Sequence, residues 1–186
     1  MMSLSNPWKT LDSREVYRNP WLSVREDQVI RPDGAPGVYG VIEIPPSVGI
    51  VALNENDEVA LVGQWRYPTQ RYSWEVPRGG SRPEESDMLA VAQRELREEA
   101  GLAARSWRFL GAVQVCNGVT TDIQHLYLAT ELSPVPDEQD PEESIVCRFT
   151  LFEEAIGMVL KGEISEVCSV AALLWVDRIR RNRRTE

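Results

Sequence analysis

The sequence has few of the residues that build disulfide frameworks, zinc sites and histidine-based catalysis. Its 186 residues include three cysteines and one histidine. Cys116, Cys147 and Cys168 are widely spaced, odd in number and form no CxxC pair, so neither a zinc site nor a disulfide framework is predicted. They are interpreted as ordinary buried thiols in a reducing compartment. Nothing near His125 supplies a catalytic triad, so it is interpreted as structural.

Long apolar runs are also absent. No segment approaches the length that a helix needs to cross a bilayer. Residues 1–6 lack the basic-then-apolar layout of a secretory signal. No membrane partner is therefore expected, and a cytoplasmic location is the default prediction.

Positive charge is scarce, because 20 lysines and arginines stand against 29 aspartates and glutamates, for a formal net charge of −9. General nucleic-acid binding is not expected, since it depends on neutralising phosphates with Lys and Arg. The acidic excess also disfavours a small anionic substrate unless a metal cation mediates. The one basic block is interpreted as a solvated helix end, where cations complement the helix dipole. It comprises Arg178, Arg180, Arg181, Arg183 and Arg184.

Strand and helix patterns are interspersed along the chain, which predicts an α/β (α+β sandwich) fold with a mixed sheet flanked by helices. Two short strands, near 21–26 and 38–44, precede Pro45-Pro46. This dipeptide marks the predicted boundary between an N-terminal antiparallel β extension, residues 1–45, and a main domain, residues 46–186. A pair of strands this short cannot bury its own apolar face, so it must pack on the main domain or on another subunit.

The main domain is predicted to contain further strands, helices and one exposed acidic loop. The strands are expected at 48–53, 58–65, 107–116, 123–129 and 145–150, the loop at 132–143, and two closing helices at 152–161 and 165–180. Trp21, Trp65, Trp74 and Trp107 are interpreted as core residues by default. The alternatives are an interface position or, for one of them, stacking on a nucleobase.

The most informative segment is a helix predicted over residues 84–100 and ended by Gly101. Glu95, Glu98 and Glu99 are three and four residues apart and crowd one side of this helix. Like charges at these spacings favour a compensating cation, and carboxylate oxygens suit Mg²⁺ or Mn²⁺. Such a metal would also join an acidic protein to an anionic substrate. The alternative is a solvated helix face on which the interspersed arginines screen the glutamates.

The block from Arg94 to Leu102, read Arg-Glu-Leu-Arg-Glu-Glu-Ala-Gly-Leu, resembles the second half of the Nudix hydrolase box without exception. The first half departs from that box, which has a glycine, five residues and then a glutamate. Counting back from the block gives Gly80 but puts Ser86 where the glutamate belongs. Counting forward from Gly79 gives Glu85 and one extra residue before the block. We interpret this mismatch with the box as a one-residue insertion in the loop.

The resemblance implies a Nudix fold and a Mg²⁺-dependent pyrophosphohydrolase, with Mn²⁺ as a possible substitute. It makes Glu95 and Glu99 the primary metal ligands and Glu98 a further ligand or a holder of the water. Arg94 would keep these glutamates in place through charge-assisted hydrogen bonds. A backbone carbonyl of the preceding loop would also face the metal. The metal ligands so implied are Gly79 (or the carbonyl of Arg78), Glu95, Glu98 and Glu99.

Two further segments, 63–68 and 74–79, resemble the subfamily of ADP-ribose and nucleotide-sugar pyrophosphatases. The substrate-binding residues implied are Arg66, Glu75 and Arg78. Arg66 would grip the diphosphate by two bonds, although a surface arginine paired with Glu75 is the alternative. In this subfamily the general base often comes from a loop before the last strand. Residues 145–155 line up with the closing strand and helix of that subfamily. This alignment favours Glu143 as the base, with Glu142 second.

The function implied is hydrolysis of a nucleoside diphosphate sugar, or of ADP-ribose, to a nucleoside monophosphate and a sugar phosphate. The N-terminal extension resembles the element through which this subfamily forms homodimers. ADP-ribose members tend to carry a proline shortly after the box, and residues 116–121 contain none, which favours other nucleotide sugars. The alternative function is a non-catalytic Nudix-fold nucleotide sensor, a class that commonly loses the box carboxylates this chain keeps.

Overall fold

The structure is a computed structural model that describes residues 5–136 and 144–183. It divides into two compact units. One comprises Met1–Pro45 with Gln114–Asp122, and the other comprises Pro46–Val113 with Ile123–Glu186. In the part of the chain that the structure describes, no helix is long and apolar enough to cross a membrane.

The first unit is built on a three-stranded antiparallel sheet in the order β1-β2-β3, with β1 at Lys9–Arg18, β2 at Ser23–Ile30 and β3 at Pro36–Glu43. The sequence predicted only two strands here and missed β1. Every residue of β1 is exposed, so its residues lack the apolar alternation that marks a half-buried strand. The prediction that Trp21 is a core residue was also wrong, because this side chain is 73% exposed.

Residues 114–122 belong to this first unit although they follow the main domain's strands in sequence. The Ile42 amide donates to the Val119 carbonyl at 2.9 Å, and the Thr121 amide donates to the Ile42 carbonyl at 3.0 Å. The Tyr39 hydroxyl donates to the Gly118 carbonyl at 2.7 Å. This segment therefore lines the outer edge of β3. It also holds Cys116, which is exposed and not buried as predicted.

The second unit contains two sheets, which confirms the predicted mixed α and β class. A mixed four-stranded sheet has the order β7-β4-β9-β8, in which β4 pairs with β9 in parallel and with β7 antiparallel. An antiparallel sheet has the order β10-β5-β6. The strands are β4 Ser47–Ala52, β5 Glu58–Arg66, β6 Arg71–Glu75, β7 Arg78–Gly80, β8 Leu102–Gln114, β9 Ile123–Pro134 and β10 Val146–Leu151.

The described part of the second unit also contains three helices: α1 at Met88–Ala100, α2 at Phe152–Leu160 and α3 at Val167–Arg183. The predicted stop of α1 is confirmed, because Gly101 closes the helix in the left-handed region at φ 63°. Its predicted start at residue 84 was too early. Asp87 caps the helix by accepting a hydrogen bond from the Leu89 amide at 2.9 Å, and the preceding residues form a separate loop.

One core cluster of the second unit lies between α1 and β4. Val91 and Leu96 of the helix are fully buried in one cluster with Val48 and Ile50 of β4. Each fully buried side chain of this size contributes about 1.5–3 kcal/mol relative to exposure. This packing fixes α1 against the strand that also pairs with β7, so it sets the distance between the helix and residues 78–80.

Several local predictions for the second unit need correction. Strand β8 begins directly after α1 rather than at residue 107, and β9 extends to Pro134 into the predicted loop. Trp65 is 58% exposed and is not a core residue. Arg180, predicted to be solvated, instead bonds to Asp57 at 2.5 Å and lies over the Phe152 ring at 4.3 Å.

Candidate active site

The backbone of β7 at Gly79 lies close against the Glu95 side chain of α1. A Cβ atom on Gly79 would overlap the carboxylate of Glu95, whereas a Cβ on Gly80 would meet open space. Only glycine leaves room for the glutamate at this point. The geometry therefore favours Gly79, counted forward in the sequence, as the glycine that the box requires.

Arg94 lies at the centre of a cluster of carboxylates on α1 and the preceding loop. Its Nη1 lies 2.7 Å from Glu95 Oε1 and donates to Glu98 Oε2 at 2.6 Å. Its Nη2 donates to the Gly80 carbonyl at 3.0 Å. Burial alone would lower the pKa of Arg94, but the surrounding carboxylates outweigh burial and raise this pKa above its ordinary value. The guanidinium thus stays charged and holds its neighbours.

Glu85, whose role the sequence left open, completes this cluster. Arg94 Nε donates to Glu85 Oε1 at 2.9 Å and Nη2 donates to Oε2 at 3.1 Å, a bidentate pair. The Arg82 amide also donates to Glu85 Oε2 at 2.8 Å. The hydrogen bonds from Arg94 lower the pKa of Glu85 below its ordinary range. Ser86, the other candidate for this position, is exposed.

Glu95 and Glu99 are turned towards β7 and away from solvent. They are 8% and 6% exposed, although carboxylates are almost never buried without partners. Glu99 Oε2 accepts a hydrogen bond from the Arg78 amide at 2.7 Å. Glu98 is more open and bonds to Arg82 Nη2 at 3.3 Å. The structure thus brings the three predicted metal-binding glutamates, Arg94 and the Gly79 backbone together.

These side chains fit a hard divalent cation by their chemistry. Over residues 5–136 and 144–183, no group of three or more His, Cys, Asp and Glu side chains forms a preformed metal cage. The glutamates of α1 instead point at guanidinium and amide donors. Mg²⁺ usually keeps several waters and binds through one or two carboxylates plus substrate phosphates, so a complete protein cage is not required. Glu95, Glu98 and Glu99 would hold such a cation.

A second cluster is centred on Glu75, which is 1% exposed. Arg66 donates to it twice, from Nε at 2.9 Å and from Nη2 at 2.5 Å. Arg78 Nη1 lies 3.4 Å from the same carboxylate. Burial would raise the pKa of Glu75, but the bonds and charge of Arg66 lower it overall. Arg66 is therefore paired with Glu75, as in the alternative interpretation of the sequence.

Glu166, which the sequence analysis missed, joins this cluster to the start of α3. It accepts from the Cys168 amide at 3.0 Å and from the Ser169 amide at 2.8 Å. Its Oε1 also lies 3.1 Å from Arg78 Nη1. The Ser169 hydroxyl in turn accepts from the Val76 amide at 3.1 Å. The only sequence signal was a side chain suited to cap a helix, which gives no hint of the contact with Arg78.

A cavity of about 560 Å³ opens beside this second cluster. It adjoins the carboxylates of α1, because the backbone of Arg78 bonds to Glu99 while its side chain lines the cavity. The cavity is lined by residues 66, 68, 69, 71–73, 75, 78, 163, 165 and 166. The three predicted substrate-binding residues, Arg66, Glu75 and Arg78, are all among them.

Glu142 and Glu143, the two predicted candidates for the general base, lie outside the described residues.

A glycine loop and a carboxylate-bearing helix, with an arginine-lined cavity beside them, are typical of enzymes that use divalent cations to act on phosphate compounds. Comparisons with known proteins identify the family. The NUDIX domain model matches residues 43–173. The chain belongs to the Nudix family and is a Nudix hydrolase.

A second family model, for a nucleoside diphosphate sugar hydrolase N-terminal domain, matches residues 8–42. The chain is 31% identical over 174 residues to an ADP-ribose pyrophosphatase of Mycobacterium tuberculosis, covering 92% of this chain and 84% of that protein. It is 25% identical to an ADP-ribose pyrophosphatase of Bacillus subtilis, with 90% and 91% covered. A solved structure of an ADP compounds hydrolase has the same fold, with a TM-score of 0.85 at 22% identity and 98% of each chain covered.

Proposed function

We propose that this Nudix hydrolase cleaves the diphosphate of ADP-ribose or of a nucleoside diphosphate sugar, releasing a nucleoside monophosphate and a sugar phosphate. The observation that carries the proposal is the pair of buried carboxylates, Glu95 and Glu99, held against the Gly79–Arg78 backbone beside an arginine-lined cavity. The relatives named as ADP-ribose pyrophosphatases support the same substrate class.

Each residue of the site has a distinct part in this proposal. Mg²⁺, with Mn²⁺ as a possible substitute, would neutralise the diphosphate and stabilise the leaving phosphate oxygen. Glu95, Glu98 and Glu99 would bind the cation. Arg94 would keep Glu95 and Glu98 oriented through the contacts that it makes in the structure, and the Arg78 amide would orient Glu99. The Arg78 backbone amide donates to the Glu99 carboxylate, and Arg78 also lines the cavity, so it would guide the substrate between the glutamates and the cavity.

Proton removal from the attacking water is assigned to the segment of the sequence that precedes β10. Glu143 is the proposed base and Glu142 the second candidate. The choice follows from aligning the subsequent β10 and α2 with the closing strand and helix of the subfamily. A general base must reach the proton within hydrogen-bonding distance in the bound complex. The Glu143→Gln protein should therefore bind substrate but turn it over slowly.

A substrate panel with nucleoside monophosphate release as its readout tests the proposed reaction. The wild-type protein with Mg²⁺ should hydrolyse ADP-ribose or at least one UDP- or GDP-linked sugar. The Glu98→Gln protein should lose on the order of 10²-fold in kcat, since it weakens a cation contact worth a few kcal/mol. Its fold should persist, because Glu98 is partly exposed and glutamine keeps its size.

The panel also separates the enzyme from a nucleotide sensor. Equal activity of the wild-type and Glu98→Gln proteins would remove that carboxylate from the metal site. Tight binding of ADP-ribose without any turnover would replace the proposed hydrolysis by sensing. A chelator control should abolish wild-type turnover, and its failure to do so would exclude a dependence on divalent cations.

The first unit is proposed to mediate homodimerisation. Its strand β1 is exposed along the whole length, and Leu11, Val16 and Tyr17 are each at least half exposed. Trp21 and Val38 add further exposed apolar surface to this unit. Several large apolar side chains exposed on one unit are typical of an association surface. Residues 8–42 match an N-terminal domain model of nucleoside diphosphate sugar hydrolases, which supports a shared role of this unit in that class of enzyme.

Light scattering should accordingly give a mass twice that of one 21.1 kDa chain. The Val16→Asp substitution should weaken the dimer about 30-fold or more, the loss expected for a buried apolar contact at an interface centre. Leu160→Asp is the matched control, because Leu160 is 77% exposed but lies in the second unit. A monomeric wild-type mass, or equal effects of the two substitutions, would contradict this assignment.

The proposed compartment is the cytoplasm. Cys116, Cys147 and Cys168 are free thiols, and burial raises the pKa of Cys147 to about 11. Free thiols of this kind suit a reducing environment.

A further inference from the structure

The antiparallel register of β5 and β6 places two arginines, a serine and a glutamate on one face of this hairpin. Arg66 pairs with Arg71, Gln64 with Ser73 and Val62 with Glu75. Directly paired residues of an antiparallel ladder point to the same side of the sheet. Arg66, Arg71, Ser73 and Glu75 all line the 560 Å³ cavity, so this face of the hairpin forms its wall.

Two of the three guanidinium groups at this cavity are already neutralised. Arg66 is bound by both oxygens of Glu75. Arg78 lies between Glu75 and Glu166, at 3.4 Å and 3.1 Å. Glu166 is itself engaged by backbone amides at the start of α3. These four charges therefore balance one another and leave Arg71 as the remaining cation of the wall.

Among the described residues, no carboxylate compensates the charge of Arg71. Within residues 5–136 and 144–183 it forms no ion pair and no side-chain hydrogen bond, and it is exposed to the cavity. It also stands directly opposite Arg66, whose charge Glu75 already balances. An unpaired cation is notable in a chain with nine more acidic than basic residues. A bound anion would supply the negative partner that Arg71 lacks among the described residues.

The other side of the cavity offers groups that suit sugar hydroxyls. Glu163 and Ser165 line it, and Glu163 is exposed and makes no ion pair among the described residues. A carboxylate accepts hydrogen bonds from hydroxyl groups, and the hydroxyls of Thr69 and Ser73 can donate or accept. A volume of about 560 Å³ lies within the range of small-molecule sites.

We propose that Arg71 is a specificity-determining residue that selects substrates in which the group entering this cavity carries its own negative charge. The ligand chemistry is a hydroxylated ring with an anionic substituent, bound by Arg71 at the anion and by Glu163 at the hydroxyls. The inference rests on the proposed function, because the diphosphate must lie at the adjoining glutamates of α1. It adds a preference among nucleotide-linked substrates that family membership does not provide.

Two matched substrate pairs test the inference and distinguish the source of the anion. UDP-glucuronate against UDP-glucose places a carboxylate on the sugar half. ADP-ribose 2′-phosphate against ADP-ribose places a phosphate on the nucleoside half. In at least one pair, kcat/KM of the wild-type protein should be about 10- to 100-fold higher for the anionic member, the advantage of a charge-assisted hydrogen bond.

The Arg71→Gln protein should lose that preference, with the ratio within a pair falling towards one. The loss should appear in KM for the anionic substrate while kcat and the neutral substrate change little. Arg71→Lys should retain part of the preference, because lysine keeps the charge but not the forked geometry. Arg105→Gln is the matched control, since Arg105 is an exposed arginine of the same unit outside this cavity.

The possible failures are distinguishable. Equal kcat/KM within both pairs, or an unchanged preference in Arg71→Gln, would overturn the role of Arg71 and leave hydrolysis standing. No turnover of any of the four compounds would count against the proposed function, and this inference would fall with it. An equal loss in Arg105→Gln would assign the effect to general electrostatic attraction and overturn the specific contact.

Discussion

Alanine at Gly79 is expected to reduce kcat/KM about 10²-fold, while alanine at its neighbour Gly80 should have little effect. The new Cβ at position 79 would overlap the Glu95 carboxylate, and one of the two must move. A misplacement of about 1 Å in a catalytic site can cost 10²-fold in rate. The same overlap should lower the free energy of unfolding by about 1–3 kcal/mol, the usual cost of overpacking.

The Gly80→Ala protein is a close control for this prediction. Gly80 is the next residue of the same strand, and a Cβ there meets nothing within 4 Å. Steady-state kinetics at saturating Mg²⁺ and thermal unfolding of both variants give the comparison. If the two alanine proteins behaved alike, the close approach of Gly79 to Glu95 would have no catalytic importance.

The Glu99→Gln substitution is expected to lower kcat on the order of 10²- to 10⁴-fold, the loss of several kcal/mol of cation-based stabilisation. Glutamine can still accept the hydrogen bond that the Arg78 amide gives to Glu99, so the backbone contact should survive. The carboxylate that the metal needs would be gone. The Mg²⁺ concentration for half-maximal rate should rise in parallel.

Glu154→Gln supplies the control for charge alone, because Glu154 is an exposed carboxylate on α2. A Mg²⁺ titration of turnover and a thermal melt should be run on both proteins. Retention of near wild-type kcat in Glu99→Gln, with unchanged Mg²⁺ dependence, would exclude Glu99 from the cation site.

Sequence reasoning located the carboxylate cluster because its elements are local. The spacing of Glu95, Glu98 and Glu99 on one helix is fixed by 3.6 residues per turn, and Gly101 ends that helix as the pattern indicates. The loop before the helix was harder. A one-residue insertion leaves two possible alignments, and only the bidentate bond from Arg94 identifies Glu85 as its partner.

The cavity could not be predicted in the same way, because its contacts join distant parts of the chain. Nothing near Glu166 indicates that it will meet Arg78, and the bond from the Val76 amide to Ser169 spans 93 residues. The sequence analysis missed strand β1 for a different reason. Its residues alternate little in hydropathy, and all are exposed, so no periodic burial marks it as a strand.

The route of the chain through the first unit has a consequence for biosynthesis. The outer edge of β3 is closed by residues 119–121, which leave the ribosome only after β4 to β8 have been made. Until then the nascent chain presents a β3 edge with unsatisfied amides and carbonyls, the kind of edge that pairs with other strands. Co-translational misassembly between neighbouring polypeptides on one polysome should therefore concentrate in this interval, before the returning segment arrives to seal the sheet.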